Sequence, residues 1–290
     1  MKISIITLTY KNWRCLETAI NSVSQQTVSD EMDIEYLIVD DGTADFDRNV
    51  VNELLVDKCP FDFKIIQNPT NLGTVRSFNN AIKNSSGDII IPLSADDEFY
   101  SSDVISKIAE KFLDPNVQIL TTLRVPVVDN KECESYPLPH ERQLFGDSKK
   151  LLEHLITYGN FISGASTTYR KKTLVKLNYF DEKYRLLEDF PFYIKALTNG
   201  VNISFMPIKG IKYGTDGISA PGKMNVLLRN DYKELYEYIL SSYDLNYFWK
   251  RHIFYSRMLS KGEKLKLKNL VKYPEQFLIT TYQKAMRVIK

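Results

Sequence analysis

At 290 residues and 43% hydrophobic side chains, the chain has ample material for a packed core, which excludes general disorder. Its three scattered cysteines, Cys15, Cys59 and Cys133, have neither disulfide-framework nor zinc spacing and suit a reducing compartment. Net charge is only +2, yet residues 244–290 hold 11 Lys/Arg against 3 Asp/Glu, leaving the first 243 residues with 27 basic and 33 acidic side chains.

The apolar start Met1–Leu8 is too short for a signal-peptide core and reads as a strand over Ile3–Thr9. Trp13, Leu16, Ile20 and Val23 recur at helical spacing, and Ile34–Asp40 is a second strand. Phe61–Gln67 is a weaker strand after Cys59-Pro60, and Val75, Phe78 and Ile82 form one helix face. Ile89–Leu93 is a buried strand that delivers Asp96 and Asp97 to its C-terminal end. A helix striped by Val104, Ile105, Ile108 and Phe112 stops before Asp114-Pro115, and Val117–Leu123 is a fifth strand. This alternation predicts an α/β fold with a doubly wound, mixed, mainly parallel sheet flanked by helices. Residues 125–147 read as a long loop with Pro126, Pro137 and Pro139. A helix near Lys149–Thr157, a strand near Phe161–Tyr169 and a helix from Asp189 to about Asn199 follow. Lys209–Lys223 reads as a Gly-rich loop, and helices over 224–242 and 246–260 lead into the basic tail. The expected division is a domain over 1–223, split into 1–124 and 125–223, with a helical, aromatic-rich extension over 224–290. No run approaches the roughly 18 apolar residues of a membrane span.

Adjacent carboxylates at a strand end repel each other, and a divalent cation bridging to phosphate oxygens offsets that repulsion. The competing reading of Asp96-Asp97 is a cap for the helix near Ser101. Asp40-Asp41-Gly42 ends the second strand; a carboxylate there can accept an imide N–H, and a simple turn is the alternative. Arg76, in the first turn of its helix, is placed to reach a base or phosphate, against the alternative of a solvated side chain. Neither GxGxxG nor Walker A is present, and the three histidines form no cluster; His140, in the long loop, is a weak candidate.

The ordered set Ile5–Asn12, Ala19–Gln26, Tyr36–Thr43, Asn71-Leu-Gly73, Asn79–Ile82, Gly87–Asp97 and Leu187-Glu-Asp189 resembles family 2 glycosyltransferases of the GT-A fold. The resemblance implies inverting, hexosyltransferase-type transfer of a sugar from a UDP-sugar or other nucleotide-sugar donor to a glycan or lipid-linked acceptor. The expected setting is bacterial surface polysaccharide synthesis, such as capsule or O-antigen. Thr9 and Tyr10 would floor the donor site with Asn71, Asp41 would bind the base supported by Asp40, and Asp96 would meet ribose and metal. Asp97 would hold Mn²⁺ or Mg²⁺, and Asp189, beside Glu188, would be the base. Ser94 stands where the family often has Asp, and Phe78 where an Arg is common. A frequent family His is absent, leaving Asp216 or Tyr213 to substitute. The aromatic, basic tail suits contact with an anionic membrane surface, no nucleic-acid module is evident, and the expected location is the cytoplasm or the inner face of the plasma membrane. A sugar-1-phosphate nucleotidyltransferase and a non-catalytic nucleotide- or glycan-binding protein are the rival readings.

Overall fold

A computed structural model describes residues 1–129, 131–214 and 225–289, without side chains beyond 282. In chain order the strands are β1 (Lys2–Thr9), β2 (Asp33–Asp40), β3 (Asp62–Gln67), β4 (Ile89–Pro92), β5 (Glu98–Phe99), β6 (Ile119–Val128), β7 (Lys131–Glu132), β8 (Thr167–Arg170) and β9 (Ile203–Tyr213). The helices are α1 (Leu16–Ser24), α2 (Arg48–Lys58), α3 (Thr74–Asn84), α4 (Val104–Lys111), α5 (Pro139–Arg142), α6 (Ser148–Tyr158), α7 (Lys171–Lys176) and α8 (Asp189–Thr198). The extension holds α9 (Val226–Ser242), α10 (Tyr247–Ile253), α11 (Lys261–Lys264), α12 (Leu267–Lys272) and α13 (Pro274–Ile289).

The described strands form one mixed sheet in the order β3-β2-β1-β4-β8-β6-β9-β5, with β7 paired to β6. Its long ladders are parallel, β1 with β2 and β4, β2 with β3, and β6 with β9; β8 runs antiparallel between β4 and β6. This arrangement matters for function. The C-terminal ends of β1, β2, β4 and β6 and the N-terminal end of β8 share one sheet edge, where open α/β sheets bind ligands.

Strand alternation divides the core into two layers. Ile3, Ile5, Tyr36, Ile38, Ile89 and Ile91 face α1, α2 and α4. Ile6, Leu37, Val39 and Ile90 face the layer of α3, α6 and α8, which Leu228, Leu235, Tyr236, Ile239 and Ile253 of the extension complete. Each such side chain contributes roughly 1.5–3 kcal/mol by burial, and both faces are covered, so the strands read as nearly continuous apolar runs.

Several expectations change. The segment read as a loop from Lys209 belongs to β9 as far as Tyr213. The 125–147 loop contains the end of β6, β7, α5 and a 3₁₀ turn over Gln143–Gly146. The strand near Phe161–Tyr169 shrinks to β8, because a 3₁₀ turn occupies Gly164–Ser166. α2 was hidden by a weakly apolar sequence; Asp47 caps it, accepting from the Asn49 and Val50 amides. α4 starts at Val104 with β5 intervening, so Asp96 and Asp97 do not cap it.

Candidate active site

At the end of β2, Asp41 is 5% exposed and richly bonded. It accepts from the Leu72 amide (2.8 Å), Gly73 amide (2.9 Å), Asn68 Nδ2 (3.0 Å) and Ser77 Oγ (2.6 Å). Asp41 therefore folds the 68–73 loop against its strand. Its neighbour Asp40 is fully buried; Oδ2 accepts from the Thr43 amide at 2.9 Å, whereas Oδ1 has no partner among the described residues. Gly42 adopts φ +74°, and the Thr70–Asn71 backbone occupies the space a Cβ would need. Thr9 Oγ1 donates to Asn12 Oδ1, the Lys11 amide donates to Thr43 Oγ1, and Tyr10 is exposed beside them. Asn71 receives Arg185 Nη2 on its side-chain oxygen at 2.8 Å. Together Thr9, Tyr10, Asp40, Asp41 and Asn71 surround the ends of β1 and β2.

After β4, Asp97 is 1% exposed. Its Oδ1 accepts from the Gly214 amide at 2.9 Å, while Oδ2 is buried without a partner among the described residues. Burial pushes its carboxyl up to about 7, the adjacent Asp96 adds to the rise, and the Gly214 and Ser94 hydrogen bonds and the Arg124 charge oppose it. A buried oxygen with an unmet demand, next to a second carboxylate, is the donor chemistry a hard divalent cation takes. The residues present therefore fit Mn²⁺ or Mg²⁺, although the described residues contain no group of three or more ligating side chains. Arg124, in the middle of β6, carries a charge that opposes the rise at Asp97. Its guanidinium sits over the rings of Tyr213 (4.5 Å) and Tyr136 (5.3 Å), and Nε is buried with no partner among the described residues.

The second carboxylate pair stands at the start of α8. Asp189 Oδ1 accepts from the Phe190 amide at 2.6 Å, Asn160 Nδ2 donates to Oδ2 at 3.3 Å, and the Gly164 amide lies alongside. Burial raises Asp189, and these donors pull it part of the way back. Glu188 is raised by burial first and by the Asp189 charge second. Asn160 and Gly164 lie in the segment that enters β8, so Asp189 reaches the same sheet edge as Asp97 and Arg124 by topology. Helix α8 begins at Asp189 itself with Glu188 at the N-cap and no side-chain cap, so Asp189 is not spent on capping.

Other candidates disperse. Arg76 is exposed in the first turn of α3, just after the loop that Asp41 holds, and faces Glu182 at 3.7 Å. His140 is exposed in α5. Tyr213 closes β9 beneath Arg124, and Asp216 lies outside the described residues. Sequence reading missed Arg124, Asn68, Ser77 and Asn160. The first carried a signal, a lone Arg closing an apolar strand; the others are common polar types whose partners are distant in sequence.

A family model described as Glycosyl transferase family 2 matches residues 4–177. An uncharacterized glycosyltransferase of Nostoc sp. is 41% identical over 97 residues, which is 33% of this chain and 29% of that protein. Poly(ribitol-phosphate) beta-N-acetylglucosaminyltransferase TarS of Staphylococcus aureus is 25% identical over 221 residues, which is 74% of this chain and 36% of TarS. The chain thus spans about a third of the length of either relative. The crystal structure of S. aureus TarS 1–349 in complex with UDP-GlcNAc shares the fold, with a TM-score of 0.63 at 20% identity over 96% of this chain and 78% of that one. The family match stops short of Glu188 and Asp189. Because it spans more than half of the sequence, the chain belongs to glycosyl transferase family 2.

Proposed function

We propose that the protein moves a sugar from a UDP-sugar to a hydroxyl of a glycan or lipid-linked acceptor, with inversion at the anomeric carbon, in bacterial surface polysaccharide assembly. The observation that carries this reading is the pairing of two carboxylate stations on one sheet edge, Asp96-Asp97 after β4 and Glu188-Asp189 at α8, with Asp97 Oδ2 buried and unsatisfied. Asp40, Asp41, Thr9, Tyr10 and Asn71 frame the nucleoside at the ends of β1 and β2. Asp96 and Asp97 would hold Mn²⁺ or Mg²⁺, which would supply positive charge against the departing diphosphate. Arg124 offers that diphosphate a second, fixed positive charge. Asp189, ionised, takes the proton of the acceptor hydroxyl as its oxygen bonds to the anomeric carbon and the bond to the diphosphate oxygen breaks. Its raised affinity for protons makes it a stronger base than an exposed carboxylate. The donor choice is supported by the structure of TarS bound to UDP-GlcNAc. Family membership favours transfer over the nucleotidyltransferase alternative.

A peripheral site of action on the cytoplasmic face of a membrane completes the proposal. No described helix is long and apolar enough to cross a membrane. Yet Leu265, Leu267, Val271 and Leu278 are each 66–76% exposed among Lys266, Lys268 and Lys272. Exposed apolar side chains among lysines suit an anionic interface, each lysine adding about 1 kcal/mol near such a surface. Leu267→Glu combined with Val271→Glu should abolish sedimentation with phosphatidylglycerol vesicles and leave UDP binding intact.

Calorimetric titration with UDP, dTDP, GDP and CMP, each with and without Mn²⁺, tests the donor site. Metal-dependent binding of UDP alone supports the reading; binding of none overturns it.

A further inference from the structure

The buried stripe of α9 consists of Leu228, Asp231, Leu235, Tyr236 and Ile239, so a carboxylate interrupts a run of apolar contacts. Asp231 is 6% exposed, and among the described residues it has no Lys or Arg partner. Its Oδ2 instead accepts from three successive amides, Arg185 (3.0 Å), Leu186 (2.6 Å) and Leu187 (3.1 Å). Those residues form the turn that leads directly into Glu188 and Asp189. A buried carboxylate tolerated only by converging N–H groups is costly to keep, and it fixes the peptide that supplies them.

We propose that Asp231 is a positioning residue for Asp189, so that the C-terminal extension builds part of the catalytic site. The inference rests on the transferase reading given above. A second contact from the extension holds the backbone just before Asn160, which donates to the same carboxylate. Arg257 donates to the Tyr158 carbonyl, and its guanidinium lies 3.1 Å from where a Cβ on Gly159 would stand. Gly159 has φ +96°, and the residue after it, Asn160, donates to Asp189 Oδ2. Asp189 is thus held through the backbone from Asp231 and through Asn160 from Arg257. The grip on Arg185 also touches the donor side at one remove, since Arg185 gives Nη2 to Asn71 Oδ1 at 2.8 Å and accepts the Val75 amide on its carbonyl at 3.2 Å.

The test compares wild type, Asp231→Ala and Asp231→Asn, the last keeping an acceptor oxygen at nearly the same place. Turnover of a panel of UDP-sugars, UDP affinity by calorimetry and amide exchange at 185–187 are measured on the full chain. Misplacing a catalytic group by about 1 Å costs up to about 100-fold in rate. Asp231→Ala should therefore lose about 10- to 100-fold in kcat, lose less in UDP affinity, which it touches only through Arg185 and Asn71, and lose protection at the three amides. Asp231→Asn should recover part of kcat. Unchanged kcat or unchanged amide protection in Asp231→Ala overturns the inference, as does a parallel loss of kcat and UDP affinity, the mark of a merely structural role. A wild type that turns over no UDP-sugar overturns the transferase reading, whereas amide protection at 185–187 that Asp231→Ala leaves unchanged overturns the positioning contact alone, which separates the two failures.

Discussion

The two halves of the site treat their carboxylates in opposite ways. On the donor side, Asp41 is saturated by four donors, three from the 68–73 loop and Ser77 from the helix that follows it. At the far side, Asp189 and Glu188 carry raised proton affinities and have their surroundings assembled from residues 160, 164, 231 and 257. Asp97 stands between, with one oxygen satisfied and one not. A carboxylate with its full complement of donors builds structure; one left short of them is available for chemistry.

Replacing Asp189 by Asn tests the far side most severely. The amide preserves size and the Asn160 contact region but cannot take a proton, so turnover of a UDP-sugar should fall by about 10²–10⁴-fold with UDP affinity unchanged. Retained turnover would move the base elsewhere. Asp97→Asn comes next. It should remove the metal-dependent part of UDP binding, about tenfold or more, so that titrations with Mn²⁺ and with EDTA coincide. If Mn²⁺ still strengthens binding in that variant, Asp97 is not the ligand. Ser77→Ala probes the saturated carboxylate: losing one hydrogen bond to a buried charge should cost about 1.5–3 kcal/mol in urea unfolding. A smaller cost would mean that the remaining three donors suffice for Asp41.

The same contrast explains what the sequence disclosed. Asp40, Asp41, Asp96 and Asp97 follow apolar strands directly, so period and position were enough to place them at the sheet edge. Asp189 was legible only through its family motif, because its surroundings are assembled from three separate segments, at 160–164, 231 and 257. Asp231 looked like any polar residue on a helix, and its three partners lie more than 40 positions earlier. β9 was missed because Pro207 and Gly210 interrupt its pattern; its ladder with β6 absorbs them through register shifts on either side of Leu123.

The smallest expected effect concerns pH. Burial and the Asp189 charge raise the Glu188 carboxyl in the folded chain, whereas in the unfolded chain it titrates in the ordinary range. Between those two values the native state binds the extra proton, so stability declines as pH rises through the interval. Below the ordinary carboxylate range both states are protonated and Glu188 imposes no such cost. Glu188→Gln removes the ionisation and keeps the shape. Its melting temperature relative to wild type should therefore be higher at pH 8 than at pH 5, by about 2–4 °C for each kcal/mol of relieved charge burial. An equal difference at both pH values would mean that Glu188 ionises in the fold as freely as on the surface, and the contrast between the two sides would narrow to Asp189 alone.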